Sequence, residues 1–319
     1  MKKILITGGC GFIGSHLTEY LFNKYKKAKI IIYDKITYAA HIDNIKKIRG
    51  SKRLKIIKKD ILDFPSLNKA TKDVDLFIHA AAESHVDNSF ELNNKFVLTN
   101  VLGTKNVMQS CKVNKVKKII HISTDEVYGE IFKGSFFENS KFNPSNPYSS
   151  SKAAAEMIVN GYIHSYDLPV IIVRANNIFG SRQHPEKLIP GCCWSLLKNK
   201  KFPIHGTGMQ KRSFLFVGDF CEAIERIIKK GKFHEAYNIG TKFEYRNKEV
   251  VKLINNINKK SFKKNTIFVK DRPFNDYRYS VNFDKIKKLN WKPIFKLEDK
   301  IEEVNNWYKI NFRRFKKRS

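Results

Sequence analysis

Thr124, Asp125 and Glu126 stand together where an apolar run (Ile119, Ile120, Ile122) gives out. The chain has 30 acidic residues against 61 basic ones, so two adjacent carboxylates call for a reason. One reason is local: an Asp at a strand–loop junction caps the next turn. The other is chemical: two neighbouring carboxyls in unlike environments hold different protonation states and can serve as an acid and a base. Further along, "NPYSSSKAAAE" (146–156) carries Tyr148 and Lys152 four residues apart. Asn146 as N-cap and Pro147 at the first helical position start a helix that puts both side chains on one face. A lysine ammonium near a phenol stabilises the phenolate and lowers the tyrosine pKa, which yields a base usable near neutrality.

These groups need a scaffold. The stretch "ILITGGCGFIGSHL" (4–17) reads as strand, glycine-rich turn and helix, with Gly8, Gly11 and Gly14 spaced as in dinucleotide-binding turns. Such glycines let the backbone approach a pyrophosphate, which then rests on the helix N-terminus beside Phe12 and Ile13. The next strand ends at Asp34, where an acidic side chain accepts hydrogen bonds from ribose hydroxyls and favours NAD over NADP. Lys35 beside it is a cation that could instead hold a phosphate. Asp60 and Ile61 follow the third strand and face the adenine, or form a plain turn. Ala80, Ala81 and Ala82 end the fourth strand in small residues that suit close passage of a dinucleotide, and Thr37 and Thr99 complete the expected cofactor set.

The strand candidates are 3–7, 30–33, 54–58, 75–79, 117–123 and 169–174, and helical patterns fall at about 14–27, 65–71, 93–113 and 146–166. Alternation of buried, non-alternating strands with helices predicts an α/β fold built on a doubly wound parallel sheet of Rossmann type. The rhythm breaks after about residue 180. We therefore expect an NAD-binding domain over 1–180 that carries the catalytic groups, and a smaller α/β domain over 181–319 that holds mainly the substrate.

Composition excludes little else. No apolar run approaches a membrane span, and the basic-then-apolar start "MKKILITGG" runs into glycines too soon for a secretory segment. Five unpatterned cysteines fit reduced thiols in the cytoplasm. The net charge of +31 suits a phosphate-rich partner, but the lysines are spread throughout and accompany abundant Ile, Asn, Phe and Tyr. We read the charge as compositional bias and expect no nucleic-acid partner; only "NFRRFKKRS" (311–319) is a basic cluster, read as a solvated end.

The glycine turn with Tyr148-x-x-x-Lys152 resembles the extended short-chain dehydrogenase/reductase family. Within it, "STDEVYGE", "AAESHVDNS" (81–89), "PEKLIP" (185–190) and "RPFNDYRY" (272–279) resemble the nucleoside-diphosphate-glucose 4,6-dehydratases. That resemblance implies a lyase with NAD as a regenerated cofactor. Tyr148 takes the proton of the glucose 4-hydroxyl as carbon 4 gives up hydride, Glu126 removes the carbon-5 proton, and Asp125 protonates the departing 6-hydroxyl. Thr124 hydrogen-bonds the 4-oxygen. The resemblance further implies that Ser84 and Thr124 touch the hexose and that Asn177 meets the diphosphate region. Lys187 and Leu188 would lie in the nucleotide groove, Pro203, Ile204 and His205 frame the base, Arg212 clamps the pyrophosphate, and Asn238 and Arg272 close the groove. It also implies a homodimer through a four-helix bundle formed by the 93–113 and 146–166 helices.

Phe274 and Asn275 replace the glycine and histidine of many bacterial dTDP-glucose enzymes, and "RPFND", "PIHG" and "YNIGTK" look closer to eukaryotic UDP-glucose 4,6-dehydratases. The expectation is therefore UDP-glucose, with dTDP-glucose second and a 6-deoxyhexose such as rhamnose downstream. A 4-epimerase or decarboxylase of the same family is the alternative enzyme. A basic NAD-binding protein that docks on nucleic acid is the non-enzymatic one.

Overall fold

The computed structural model describes residues 1–315. Its strands are β1 (Lys3–Thr7), β2 (Lys29–Asp34), β3 (Leu54–Lys58), β4 (Leu76–His79), β5 (Lys118–Thr124), β6 (Val170–Ala175), β7 (Asn177–Phe179), β8 (Phe202–His205), β9 (Lys211–Phe216), β10 (Ala236–Ile239), β11 (Glu244–Arg246) and β12 (Thr266–Val269). Seven of them form one parallel sheet in the order β10-β6-β5-β4-β1-β2-β3. Isoleucines at 4, 6, 30, 78, 120 and 171 are buried in one core on one face of that sheet, while Leu5, Phe77, Ile119 and Val170 anchor a second core on the other. This two-sided burial is why these strands read as continuous apolar runs.

The division expected near residue 180 needs correction. The sheet's edge strand β10 and the helix Val217–Lys230 both come from the second half of the chain. Phe220, Ile224 and Ile227 of that helix join the core of Ile4 and Ile6. The smaller lobe is instead built from β7, β9 and β11, the β8–β12 pair and a third core of Phe179, Ile189, Val250, Ile254 and Ile301. Short apolar segments in the second half gave no alternation from which this return could be read.

The helix over Pro147–Tyr166 forms as expected. Asn146 Oδ1 accepts from the Ser149 amide at 2.9 Å, Pro147 needs no partner for its nitrogen, and Asp167 ends the helix at φ 51°. The other long helical pattern runs as Asn93–Phe96, a π-helical turn over Val97–Leu102, then Gly103–Val113. Of the basic end, Phe312–Phe315 forms a short turn on Trp307 and Tyr308, with Arg314 donating to Asn44 Oδ1 at 2.7 Å; the remainder lies outside the described residues.

Beneath the carboxyl edge of β5 and β6 lies a buried ion pair. Arg174 Nη2 donates to Glu156 Oε2 at 2.8 Å and Arg174 Nε to the same oxygen at 3.0 Å. Arg174 Nη1 donates to the Tyr128 hydroxyl at 2.6 Å, and Ser123 Oγ donates to Glu156 Oε1. Removing one partner strands a buried charge. Replacing Glu156 with Ala should therefore cost about 3–5 kcal/mol of unfolding free energy; a denaturant titration that shows less than about 1 kcal/mol would contradict this.

Candidate active site

The carboxyl ends of β1, β2, β4, β5 and β6 open into one cavity. It gathers the expected dinucleotide set: Gly8, Gly11, Phe12, Ile13 and Gly14 from the first turn, Asp34, Lys35 and Thr37 after β2, then Asp60, Ile61, Ala80, Ala81, Ala82 and Thr99. Two glycines are required by geometry. A Cβ on Gly14 would sit 2.0 Å from the Gly8 carbonyl oxygen, and Gly8, at φ +68°, would press one to 2.9 Å of Ala81 Cα. The turn is thus drawn tight against the alanine loop and the start of the Phe12–Lys24 helix, a cradle that fits a pyrophosphate.

Asp34 is buried with its carboxylate aimed into the turn. Oδ2 accepts from the Cys10 amide at 2.8 Å and Oδ1 from the Ile36 amide at 2.7 Å. Burial pushes its pKa up, against those amide bonds. Lys35 does not stand free as a phosphate clamp, because its Nζ pairs with Asp60 Oδ2 at 2.6 Å. The charge that could have favoured a 2′-phosphate is neutralised, and the site fits NAD.

The same cavity holds Thr124, Asp125, Glu126, Tyr148, Lys152 and Ser84. β5 ends at Thr124, and Asp125–Tyr128 follows as a single tight turn whose first amide bond is Glu126 N to Thr124 Oγ1 at 3.3 Å. The capping reading of the acidic pair is not met: Thr124 caps the turn, and the Asp125 carboxyl accepts instead from the Asn176 amide. Asp125 is 2% exposed, and burial together with Glu126 raises its pKa to about 7. Burial also raises Glu126, while Lys187, Arg212 and Arg272 pull it down. The acids thus sit in different fields, as a division into acid and base requires.

One expectation fails. Tyr148 is not pulled down: burial first, then Glu126 and Asp125, push its phenol up, and only the Thr124 hydroxyl acts the other way. Lys152 spends a hydrogen bond on the Ile122 carbonyl at 2.8 Å, and burial lowers its own pKa to about 8, with Glu156 opposing. Burial thus favours the neutral form of both groups of this pair.

A second cavity continues from the first at Glu126, Asn177 and Lys187. Leu188, Pro203, Ile204, His205, Arg212 and Arg272 line it, as expected of the substrate groove. Arg212 stacks 4.4 Å over the Tyr279 ring and donates to the Lys211 carbonyl at 2.8 Å, which holds its guanidinium in place. Arg272 pairs with Asp87, with Nη2 to Oδ2 at 3.0 Å. Lys187 Nζ donates to the Ser84 carbonyl and so ties the wall of the first cavity to the second.

Asn238 is a correction. It lies on β10, fully buried and away from either cavity, where its Oδ1 accepts from Tyr128 Oη at 2.9 Å and Nδ2 donates to the Asn282 carbonyl at 3.0 Å. It is a packing residue of the sheet edge. Residues missed at the sequence level include Asn176, which donates to Asp125, and Glu186, which lies among His85, His184 and Lys187. Both were adjacent to motif positions already singled out, Asn177 and Lys187; their own roles depend on contacts across the fold.

The GDP-mannose 4,6 dehydratase family model matches residues 5–304. A dTDP-D-glucose 4,6-dehydratase of Dictyostelium discoideum is 42% identical over 98% of this chain and 82% of its own length. The chain belongs to the nucleoside-diphosphate-glucose 4,6-dehydratases. The crystal structure of DesIV, the dTDP-glucose 4,6-dehydratase of Streptomyces venezuelae, solved with NAD bound, superposes on this dehydratase with a TM-score of 0.96 at 34% identity, covering 99% of this chain and 100% of that one. A trifunctional Arabidopsis thaliana protein that includes a UDP-glucose 4,6-dehydratase is 40% identical over 97% of this chain and 47% of its own length.

The pKa of Asp125 gives a stability prediction with a definite sign. Its folded value of about 7 lies above the ordinary value of 3.8 for a free aspartate. A carboxyl raised in this way favours the fold at low pH and costs stability once ionised, and the cost grows from pH 3.8 and is complete above 7. Replacing Asp125 with Asn should raise thermal stability at pH 8 by a few kcal/mol, at about 1.4 kcal/mol per pKa unit. The gain should vanish near pH 4, and melting curves that show an equal change at both pH values would refute the assignment.

Proposed function

We propose that the protein dehydrates a nucleoside-diphosphate-glucose to the 4-keto-6-deoxy sugar nucleotide, with NAD regenerated in each turnover. The observation that carries this reading is the Thr124–Asp125–Glu126 turn facing Tyr148 and Lys152 across a single cavity. An oxidised nicotinamide in the glycine-turn cavity supplies the site that accepts hydride from carbon 4 and later returns it to carbon 6. Tyr148 accepts the 4-hydroxyl proton, Lys152 steadies the phenolate, and Thr124 holds the oxygen. The ketone acidifies carbon 5, Glu126 removes that proton, and Asp125 gives its own to the 6-hydroxyl, which leaves as water; carbon 5 is reprotonated as hydride returns to carbon 6. Because the protein's own carboxylates oppose phenolate formation, the charge that favours it has to come from the bound cofactor and from Lys152.

Arg212, held flat by Tyr279, suits the pyrophosphate, and Asn177, Lys187 and Leu188 carry the nucleotide away from the hexose. Ser84 lies on the hexose side. Pro203, Ile204 and His205 meet the base, and Arg272 shuts the mouth through Asp87. UDP-glucose is the preferred substrate and dTDP-glucose the second, on the strength of Phe274 and Asn275 in this groove. An apolar pocket separates the two bases by only about 1–3 kcal/mol. The product feeds synthesis of a 6-deoxyhexose such as rhamnose. A 4-epimerase of the same fold is the second reading, favoured only by the shared Tyr148–Lys152 half.

The dehydratase works as a homodimer. Leu98, Leu102 and Val113 on one long helix, with Met157 and Tyr166 on Pro147–Tyr166, leave apolar surface exposed that a four-helix contact would cover. No helix of the described residues is long and apolar enough to cross a membrane. Its five cysteines, all unpaired, fit a reducing cytoplasm, which cell fractionation checks.

Purified protein incubated in parallel with UDP-glucose and dTDP-glucose should convert at least one to a product lighter by one water, read by mass spectrometry. Release of an isomer of unchanged mass would replace the dehydratase by the epimerase. Light scattering on the same preparation should give twice the chain mass, and a monomer would remove the dimer.

A further inference from the structure

Asn176 is the residue between β6 and β7, and it was absent from the sequence expectations. It is 3% exposed and lines the catalytic cavity. Its amide orientation is dictated by its neighbours. The Thr241 backbone N–H, which can only donate, reaches Asn176 Oδ1 at 3.2 Å. The amide nitrogen must therefore face the other way, where Nδ2 meets Asp125 Oδ2 at 2.7 Å. Its backbone N–H is bonded to the Ile239 carbonyl at 3.0 Å. Gly240 completes the seat: a Cβ there would lie 2.4 Å from Asn176 Oδ1, so a larger residue would displace the amide.

The geometry points to Asn176 as the positioning residue of the general acid, fixing which oxygen of Asp125 carries the transferable proton. An Oδ2 that accepts a short amide hydrogen bond cannot be the protonated oxygen without losing it. The proton is left to Oδ1, because the Thr124 hydroxyl 3.3 Å away, which donates to the charged form, can rotate to accept it, whereas the Asn176 amide nitrogen can only donate. Thr124 is also the residue assigned to the 4-oxygen, so the acid is presented on the side where the hexose reacts. This rests on the dehydratase reading above.

The other groups that act on Asp125 are Glu126 on the same turn, Arg212 from β9, Thr124 at the end of β5, and Tyr148 from the Pro147–Tyr166 helix. Glu126 raises its proton affinity, and Arg212, Thr124 and the Asn176 amide lower it. Loss of the amide should therefore leave Asp125 harder to ionise and its proton free to sit on either oxygen.

Two variants separate this role from simple packing. Asn176→Leu keeps the side-chain volume and loses the donor and the acceptor without adding a charge; Asn176→Ala loses the volume as well. Should the alanine variant fail to fold, the leucine variant still reports. In single-turnover mixing of NAD-loaded protein with whichever sugar nucleotide the parent chain converts, oxidation at carbon 4 is followed by absorbance at the nicotinamide and water loss by mass spectrometry. Oxidation should keep its rate, while water loss slows about 10- to 100-fold, a fraction of what general acid catalysis supplies. Carbon NMR of the Asp125 carboxyl, recorded without substrate, should show roughly tenfold higher proton affinity in the variant, as expected when a hydrogen bond to the charged form is lost. Equal slowing of both phases, or an unchanged Asp125 titration, would overturn the assignment. If the parent chain itself leaves both sugar nucleotides intact, it is the dehydratase reading that fails, and the titration still judges the Asn176–Asp125 bond.

Discussion

The Arg174–Glu156 ion pair is the constraint on which the rest of the site depends. Glu156 lies one helical turn beyond Lys152, Arg174 lies two residues before Asn176, Ser123 precedes Thr124, and Tyr128 closes the turn of the two acids. One buried charge pair therefore grips the helix of Tyr148 and Lys152, the strand that ends at Thr124 and the strand that leads to Asn176. Such a pair adds little over an apolar filling of equal volume, but it is intolerant of misplacement, since a half-made pair leaves a buried charge. In this fold its return is geometric: three separately coded segments are held in one register at the sheet's carboxyl edge.

The electrostatics above that pair are set for chemistry at the expense of stability. Two carboxyls and a phenol share a desolvated wall, where Glu126 raises the proton affinity of Asp125 and both carboxyls raise that of the phenol. The compensating cations, Arg212, Lys187 and Arg272, sit on the groove side, where the diphosphate of a substrate would also lie. The Asn176 amide and the Thr124 hydroxyl act on Asp125 against that burial, both lowering its proton affinity.

What could be read from the sequence was local. The glycine turn, the capped helix that carries Tyr148 and Lys152, and the six isoleucine-rich strands each announce themselves within a dozen residues, and they form where expected. What could not be read is made by distant segments meeting. The seventh strand arrives from residues 236–239 after an irregular excursion, and Asn238 is absorbed there into a hydrogen-bonded sheet edge where a groove contact was expected. The Asn176–Asp125 bond spans 51 residues of sequence and needs Gly240 and Thr241 to orient it. Four-residue spacing placed Lys152 on the Tyr148 face correctly, but spacing carries no information about the Ile122 carbonyl that takes its hydrogen bond.

The central claim is that hydride leaves carbon 4 and returns within the same molecule at carbon 6, with water lost between. The direct test is a glucose nucleotide carrying deuterium at carbon 4, turned over by the NAD-loaded protein and read by NMR. The account predicts deuterium in the carbon-6 methyl group of a 4-keto product. Deuterium retained at carbon 4, or found there in an inverted configuration with the 6-hydroxyl intact, would contradict it.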